Sequence, residues 1–373
     1  MKEISILTFC NNMWHVNYGQ VLQCYAMQEI CKKLGANVQV VRYREKVPQD
    51  ILKYKFPLGK MNELYEDYCQ RIFIQNGFDE RINKFQKFVS KNINRTYPCY
   101  TIADVEKITQ KSDVLICGSD QIWNPNLLKK VYALDFGTAI QKKVAYAASG
   151  IVPKSKYADK KYKELSKYLQ NFSSISLREK VSIDILKDYT AQKIEDVLDP
   201  TFLLKSKEWD KVAGKYLIDE PYIFCYTLCE IRPYKMMLNK IAELYGVKKV
   251  LYIQSKVIPG DYSGKFVKIS DAGPAEFLTL LKNSVTVCTD SFHGVALSIN
   301  YHKQFCLFNH KTTDISHCAN RQDDILAKCH INNRKCENLK DINNLVPINY
   351  KEVEAFLSKE RERSWEFLKK SVE

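Results

Sequence analysis

The sequence predicts an α/β protein made of two Rossmann-like domains that face each other across a cleft. Three observations carry this expectation. Short β-branched runs alternate with stretches of helical apolar spacing from the first residues to about residue 310. The alternation pauses near residues 200–220 and then restarts. The length, 373 residues, is enough for two cores.

Residues 4–9 read as a strand, and Val21, Leu22, Tyr25, Ala26, Ile30 and Leu34 then recur at helical spacing up to Gly35, a residue suited to a left-handed helix end. Residues 38–43 form a second strand, which gives the strand–helix–strand opening of a parallel crossover unit. Residues 44–100 interleave Lys, Tyr and Phe and are expected to be helices inserted on the first domain. Strands at 114–117, 143–148, 174–177 and 194–198 follow, with helices at 159–170 and 179–188. After the pause, strands are expected at 222–228, 248–253, 266–269, 285–289 and 304–308, and helices at 233–245, 274–283 and 293–300. Asp271 stands where an N-cap would, with Pro274 in the first turn and Glu276 behind it. Residues 350–370 place Val353, Phe356, Leu357, Ser364, Phe367 and Leu368 near one face of a last amphipathic helix.

Composition narrows the function. Hydrophobic residues make up 45% of the chain, which excludes a broadly disordered protein. The apolar run in the first ten residues is too short for a signal peptide, and no run approaches a membrane span, so a cytoplasmic protein is expected. Thirteen cysteines with no C-x-x-C read as reduced, buried thiols, and no metal site is expected. With 57 basic and 43 acidic residues the net charge is +14, which favours anionic partners. Nucleic acid is not expected among them, because no zinc-finger, RNP or basic-zipper pattern occurs.

In open parallel sheets ligands bind beyond the carboxyl ends of the strands, so the residues there are the functional candidates. After the first strand come Asn17, Tyr18 and Gly19, either a hydroxyl- or anion-binding loop or simple turn and cap residues. Beyond residue 117 lie Gly118, Ser119, Asp120, Gln121, Trp123 and Asn124, which suit a sugar with an apolar ring face on Trp123, or else a buried Trp with a structural Asp cap. Arg178, followed by Glu179, is placed to grip a carboxylate or phosphate, the bland alternative being a surface ion pair. Asp199 and Pro200 read as an interdomain turn. The run VTVCTDSFHG puts Ser291, His293 and Gly294 where a strand ends and a helix begins, a place where an imidazole can be tuned as a general acid or can simply be a core histidine. The remaining histidines show no paired spacing.

Taken as an ordered set, NYGQVLQCYA, GSDQIWNP, SLREK, VLDPTFLL and SFHG resemble the polysaccharide pyruvyl transferase family over roughly residues 4–310. The resemblance implies a GT-B-like pair of domains, which we place at 1–205 on the acceptor side, with the insertion at about 44–100, and at 206–345 on the donor side. It also implies a C-terminal helix, 346–373, packing back toward the first domain. The implied reaction, in envelope or capsular polysaccharide biosynthesis, moves a pyruvyl group from phosphoenolpyruvate, a donor substrate rather than a cofactor, to sugar hydroxyls as a ketal. His293 is then the candidate proton donor and Arg178 the candidate donor clamp. Where some members carry an arginine just before the histidine, this chain has Ser291 and Phe292, which shifts anion binding onto Arg178 and backbone amides.

Two rivals are a nucleotide-sugar glycosyltransferase on the same fold and an inactive sugar-binding relative. Neither a G-x-G-x-x-G nor a phosphate-loop motif is present to support a nucleotide. The acceptor is expected to be a sugar or a lipid-linked oligosaccharide. Lys53, Lys55 and Lys60, interleaved with Tyr54, Phe56 and Leu58, either make a peripheral contact with the anionic inner membrane surface or simply cover the core.

Overall fold

Short apolar strands are buried on both faces only if helices cover both sides of the sheet, and that is how the chain folds. The computed structural model describes residues 1–10, 16–43, 78–255, 264–309 and 320–373. Lys53, Tyr54, Lys55, Phe56, Leu58 and Lys60 lie outside them.

Seven parallel strands form the first sheet in the order β3-β2-β1-β4-β5-β6-β7. They are β1 (Glu3–Leu7), β2 (Asn37–Tyr43), β3 (Arg95–Cys99), β4 (Val114–Cys117), β5 (Lys142–Ala148), β6 (Ser174–Leu177) and β7 (Ile194–Asp196). The second sheet holds six, also parallel, in the order β10-β9-β8-β11-β12-β13: β8 (Tyr222–Thr227), β9 (Lys249–Gln254), β10 (Phe266–Lys268), β11 (Thr286–Thr289), β12 (Phe305–Phe308) and β13 (Lys335–Cys336). Each order has its reversal beside the first strand of its sheet, β1 next to β4 and β8 next to β11, the switch point at which doubly wound sheets open a ligand crevice.

Helix α1 (Tyr18–Lys33) starts where the Asn17 side chain accepts a hydrogen bond from the Gln20 N–H (3.1 Å) and ends before Gly35, whose φ of +79° a side chain would resist. Lys32 and Lys33 in its last turn complement the helix dipole. It is buried nearly all round because it lies between the sheets.

Three expectations are corrected. Residues 78–99 are not an insertion of helices: α2 (Phe78–Asn92) leads into β3, which pairs with β2 and completes a crossover unit. The strand RTYPC has no apolar alternation, so its pattern gave no signal. Asp271 does not cap the helix that follows. Gly273 stands at the N-cap of α9 (Pro274–Asn283; α3 to α8 being Ile102–Thr109, Lys156–Leu169, Lys180–Leu186, Pro200–Leu203, Ser206–Trp209 and Lys235–Leu244), and Glu276 accepts from the Gly273 N–H (3.0 Å). The Asp271 carboxylate instead accepts from Lys84 and from the Tyr216 hydroxyl (both 3.1 Å). Asp199 and Pro200 are more than a turn: Asp199 caps α6 and enters the polar cluster described below.

One apolar cluster passes between the sheets. At its centre Tyr18 stacks on Phe277 at 4.5 Å and meets Phe85 (4.8 Å) and Tyr226 (5.6 Å). Its hydroxyl donates to the Ala272 carbonyl (2.6 Å), and burial pushes its pKa to about 12, so it stays a neutral donor. The last helix, α13 (Tyr350–Val372; α10 to α12 being Phe292–Asn300, Asn320–Lys328 and Leu339–Asn343), buries Val353, Leu357, Ser364 and Leu368. It ties back to the first sheet through Ser364 Oγ, which accepts from the Leu198 N–H (2.9 Å), and through Arg363, which donates to the Asp196 carbonyl (2.5 Å).

Tyr18 therefore cements the joint between the sheets. Tyr18→Phe, which loses only the hydrogen bond, is expected to cost about 1 kcal/mol. Tyr18→Ala, which also leaves a cavity, should cost roughly 3–5 kcal/mol. Urea denaturation distinguishes the two, and equal, small losses would show that the aromatic seam does not hold the halves together.

Candidate active site

Three strands of the first sheet end in polar residues at one edge, and Asp199 joins them. Its Oδ1 accepts from the Thr201 N–H (3.0 Å) and hydroxyl (2.7 Å). Its Oδ2 accepts from Ser119 Oγ, beyond β4, at 2.8 Å and from Arg178 Nη1, beyond β6, at 2.5 Å. Burial opposes the charge, but Arg178, His293 and the Thr201 hydrogen bonds outweigh it and hold the Asp199 carboxyl below its ordinary pKa.

Arg178 is buried with its side chain 1% exposed. Its Nε donates to Glu179 Oε1 (2.7 Å), and that same oxygen accepts from Ser149 Oγ (2.6 Å). Burial works against its charge, yet Glu179, Asp199 and Asp120 raise its pKa above the ordinary value. The guanidinium lies 4.0 Å over the ring of Phe292, a residue of the second domain. Nη2 is buried with no hydrogen-bond partner among the described residues. The expected open fork is thus mostly occupied by the protein's own carboxylates, and the pair with Glu179 is a buried one rather than a surface one.

From the second sheet, β11 leads into α10, whose N-cap Ser291 accepts weakly from the Gly294 N–H (3.5 Å). His293, in the first turn, brings Nε2 to 3.9 Å from Asp199 Oδ2, and that nitrogen too is buried without a hydrogen-bond partner among the described residues. Burial lowers the His293 pKa, Asp199 and Asp120 oppose this, and Arg178 and Arg321 add to it. The imidazole is neutral at pH 7 as a result. It packs on Gly19 so closely that a Cβ there would stand 2.1 Å from Nδ1, which explains why the turn into α1 has a glycine at this place.

Asp120 completes the cluster. Its φ of +69° is unusual for a residue with a side chain, and its carbonyl is fixed by the Ile122 and Ser149 N–H groups (2.8 and 3.0 Å). Gly118, at φ +112°, passes so close to the Tyr146 carbonyl that a Cβ would come within 2.2 Å.

The structure brings His293, Arg178, Ser119, Asp120 and Gly19 together. The other candidates take structural roles. Trp123 is 0% exposed and donates to the Tyr132 carbonyl (3.1 Å), so it offers no ring face to a sugar. Asn124 is buried and accepts from the Asn126 N–H (3.0 Å), shaping a turn. Tyr18 belongs to the apolar seam, Asn17 and Ser291 are helix caps, and Gly294 makes room for Thr289, whose Oγ1 would lie 2.3 Å from a Cβ. Sequence reasoning missed Asp199 as part of the site, although a strand ending in Asp-Pro was a usable signal. It also missed Arg321, near the start of α11 and close enough to depress the His293 pKa; nothing in its surroundings in the sequence marks it. Among the described residues no group of three or more His, Cys, Asp or Glu side chains converges as a metal site, and no helix is long and apolar enough to cross a membrane.

Solved structures share this architecture at low identity. A UDP-N-acetylglucosamine 2-epimerase superposes with a TM-score of 0.52 at 12% identity, over 99% of this chain and 95% of the other. The UDP-GlcNAc 2-epimerase of Methanocaldococcus jannaschii gives 0.50 at 13% identity, over 97% and 94%. S. aureus MnaA with UDP gives 0.50 at 11%, over 99% and 91%. Such identities establish the fold alone, the GT-B arrangement of two parallel sheets. No curated protein sequence matches the chain. A family model described as polysaccharide pyruvyl transferase matches residues 17–312, most of the chain, and so the protein belongs to the polysaccharide pyruvyl transferase family.

Proposed function

We propose that the protein transfers a pyruvyl group from phosphoenolpyruvate to two hydroxyls of a sugar, giving a ketal and inorganic phosphate. The observation that carries this reading is the meeting at Asp199 of two buried groups from different domains, Arg178 and His293, each with one nitrogen that has no hydrogen-bond partner among the described residues. A buried, unpaired N–H or ring nitrogen is costly and is retained where a ligand completes it.

The chemistry follows from these groups. The donor brings a carboxylate and a phosphate. Arg178 Nη2, Arg321 and the N–H groups in the first turn of α10 supply positive potential for them. The free protein keeps His293 neutral, and the negative charge of an arriving donor raises its pKa so that it takes up a proton. His293 then gives that proton to the methylene carbon of the donor, making it a methyl and leaving an oxocarbenium-like centre at the neighbouring carbon. The first sugar hydroxyl adds to that carbon and returns its proton to the imidazole. The second hydroxyl attacks the same carbon as the bond from that carbon to the bridging phosphate oxygen breaks, the oxygen leaves with the phosphate, and the hydroxyl proton goes with it. Asp199 holds its charge beside the imidazolium throughout.

Incubation with phosphoenolpyruvate and a panel of lipid-linked and nitrophenyl sugars, followed by phosphate release, tests the reading. A thermal shift with uridine or guanosine diphosphate sugars and none with phosphoenolpyruvate would replace it with nucleotide-sugar chemistry.

The two residues should fail differently. His293→Ala is expected to lower kcat roughly 10²-fold or more, with a smaller loss of stability than Arg178→Ala because it strands no buried ion pair. Arg178→Ala leaves Asp199 and Glu179 buried without their cation and should cost about 3–5 kcal/mol of stability. Phosphate-release kinetics beside denaturant titration separates them; a His293→Ala protein of full activity would end the proton-donor assignment.

The depressed His293 pKa also has a stability consequence. The unfolded chain binds the histidine proton at about pH 6.5, before the native state does. The stabilisation is therefore complete above that pH and is lost as the pH falls toward the native value. Between about pH 7.5 and 5.5, His293→Gln is expected to lose less stability than the parent. Equal losses would mean that the native imidazole is not held neutral.

A further inference from the structure

Between residues 125 and 170 the chain carries ten lysines, no arginine and three acidic residues. That is a net charge of +7, half of the +14 of the whole protein. The fold gathers this stretch onto one surface. Helix α4 (Lys156–Leu169) buries Ala158, Tyr162, Leu165 and Leu169 against the first domain. Lys156, Lys160, Lys163 and Lys167 recur at three- and four-residue steps, a single stripe along its outer side. The segment before β5 runs beside the helix. Tyr157 donates to the Pro125 carbonyl (3.1 Å) at one end, and Tyr168 interacts with Asp135 and Lys130 at the other.

Internal pairing neutralises only part of this surface. Lys163 pairs with Asp159 (2.7 Å), Lys161 with Glu164 (3.5 Å), Lys130 with Asp135 (3.7 Å) and Lys154 with Asp188. Lys156, Lys160 and Lys167 have no ion pair among the described residues. Two apolar side chains stand exposed beside them, Tyr157 at 52% and Leu127 at 43%.

We propose that this face docks on the surface of an anionic lipid bilayer. Lysines without arginine suit a diffuse layer of headgroups, since an ammonium is a hydrated point charge and lacks the fork that docks a single phosphate. Each lysine near an anionic leaflet adds attraction that falls off within a Debye length. The tyrosine and leucine beside the stripe have the amphipathic and apolar character of residues that settle at headgroup depth, which a contact with a soluble polyanion would not use. The inference does not rest on the donor or the reaction, because it is read without turnover.

Co-sedimentation of the full chain with vesicles tests it. Binding is expected to phosphatidylcholine vesicles containing about a third phosphatidylglycerol, to be absent with phosphatidylcholine alone, and to weaken several-fold as salt rises from about 0.05 to 0.3 M. Replacing Lys156, Lys160 and Lys167 together by Glu should reduce binding roughly tenfold or more. Replacing Lys215, Lys248 and Lys340, exposed residues outside this stretch, by Glu makes the same change in net charge and should leave most of the binding intact. Matching circular dichroism confirms that each variant is folded, and a Lys→Gln triple reads the same contact if the Glu triple does not fold. Equal losses in the two triples, undiminished binding in the first, equal binding to neutral vesicles, or binding to heparin without binding to anionic vesicles would each overturn the proposal.

Discussion

The site depends on the Asp199 carboxylate. Four donors from Ser119, Arg178 and Thr201 satisfy it, and His293 from the other domain lies at its open side. A charge in such a place would be expelled or neutralised unless its partners were fixed beforehand. Ser119 and Arg178 are fixed by β4 and β6 of the first sheet, Thr201 by the turn into α6 and His293 by β11 of the second sheet, so the two sheets together keep the carboxylate ionised.

The same constraint explains the division of labour between the two arginines of the site. Arg178 supports the architecture as much as it could meet a ligand: its Nε and Nη1 belong to Glu179 and Asp199, its flat face lies on Phe292, and Nη2 has no hydrogen-bond partner among the described residues. Arg321 approaches from the second domain and acts on the imidazole. Two domains thus contribute one positive charge each to a space also faced by Asp120, and neither domain by itself assembles the set.

Such a shared site needs the domains held in one relative position. The aromatic seam around Tyr18 does this at the start of α1, next in sequence to Gly19, on which His293 rests. Helix α13 does it from the other side, where Ser364 bonds to Leu198 just before Asp199. Packing and hydrogen bonding at the joint therefore act on the same short segments that carry the polar cluster, and a change in the seam will be felt at the site.

Most of the architecture was legible locally. The apolar runs of β1, β4, β8 and β11 reflect burial on both faces of each sheet, and the helical spacing in α1 and α9 reflects the 3.6-residue period, both imposed directly on neighbouring residues. Elements without such a pattern were missed, among them β3, whose RTYPC is a strand only because β2 offers it an edge, and the short helix capped by Asp199. The sequence by itself determined the two-domain α/β class, the family through its ordered motifs, and His293 and Arg178 as residues to watch. Tertiary structure alone decided that Trp123 is core, that Tyr18 is a seam, that Arg178 is largely engaged by carboxylates, and that Asp199 and Arg321 belong with the histidine. The physical reason is that residues 119, 178, 199 and 293 leave four separate strands, and no local period records where four chain segments meet.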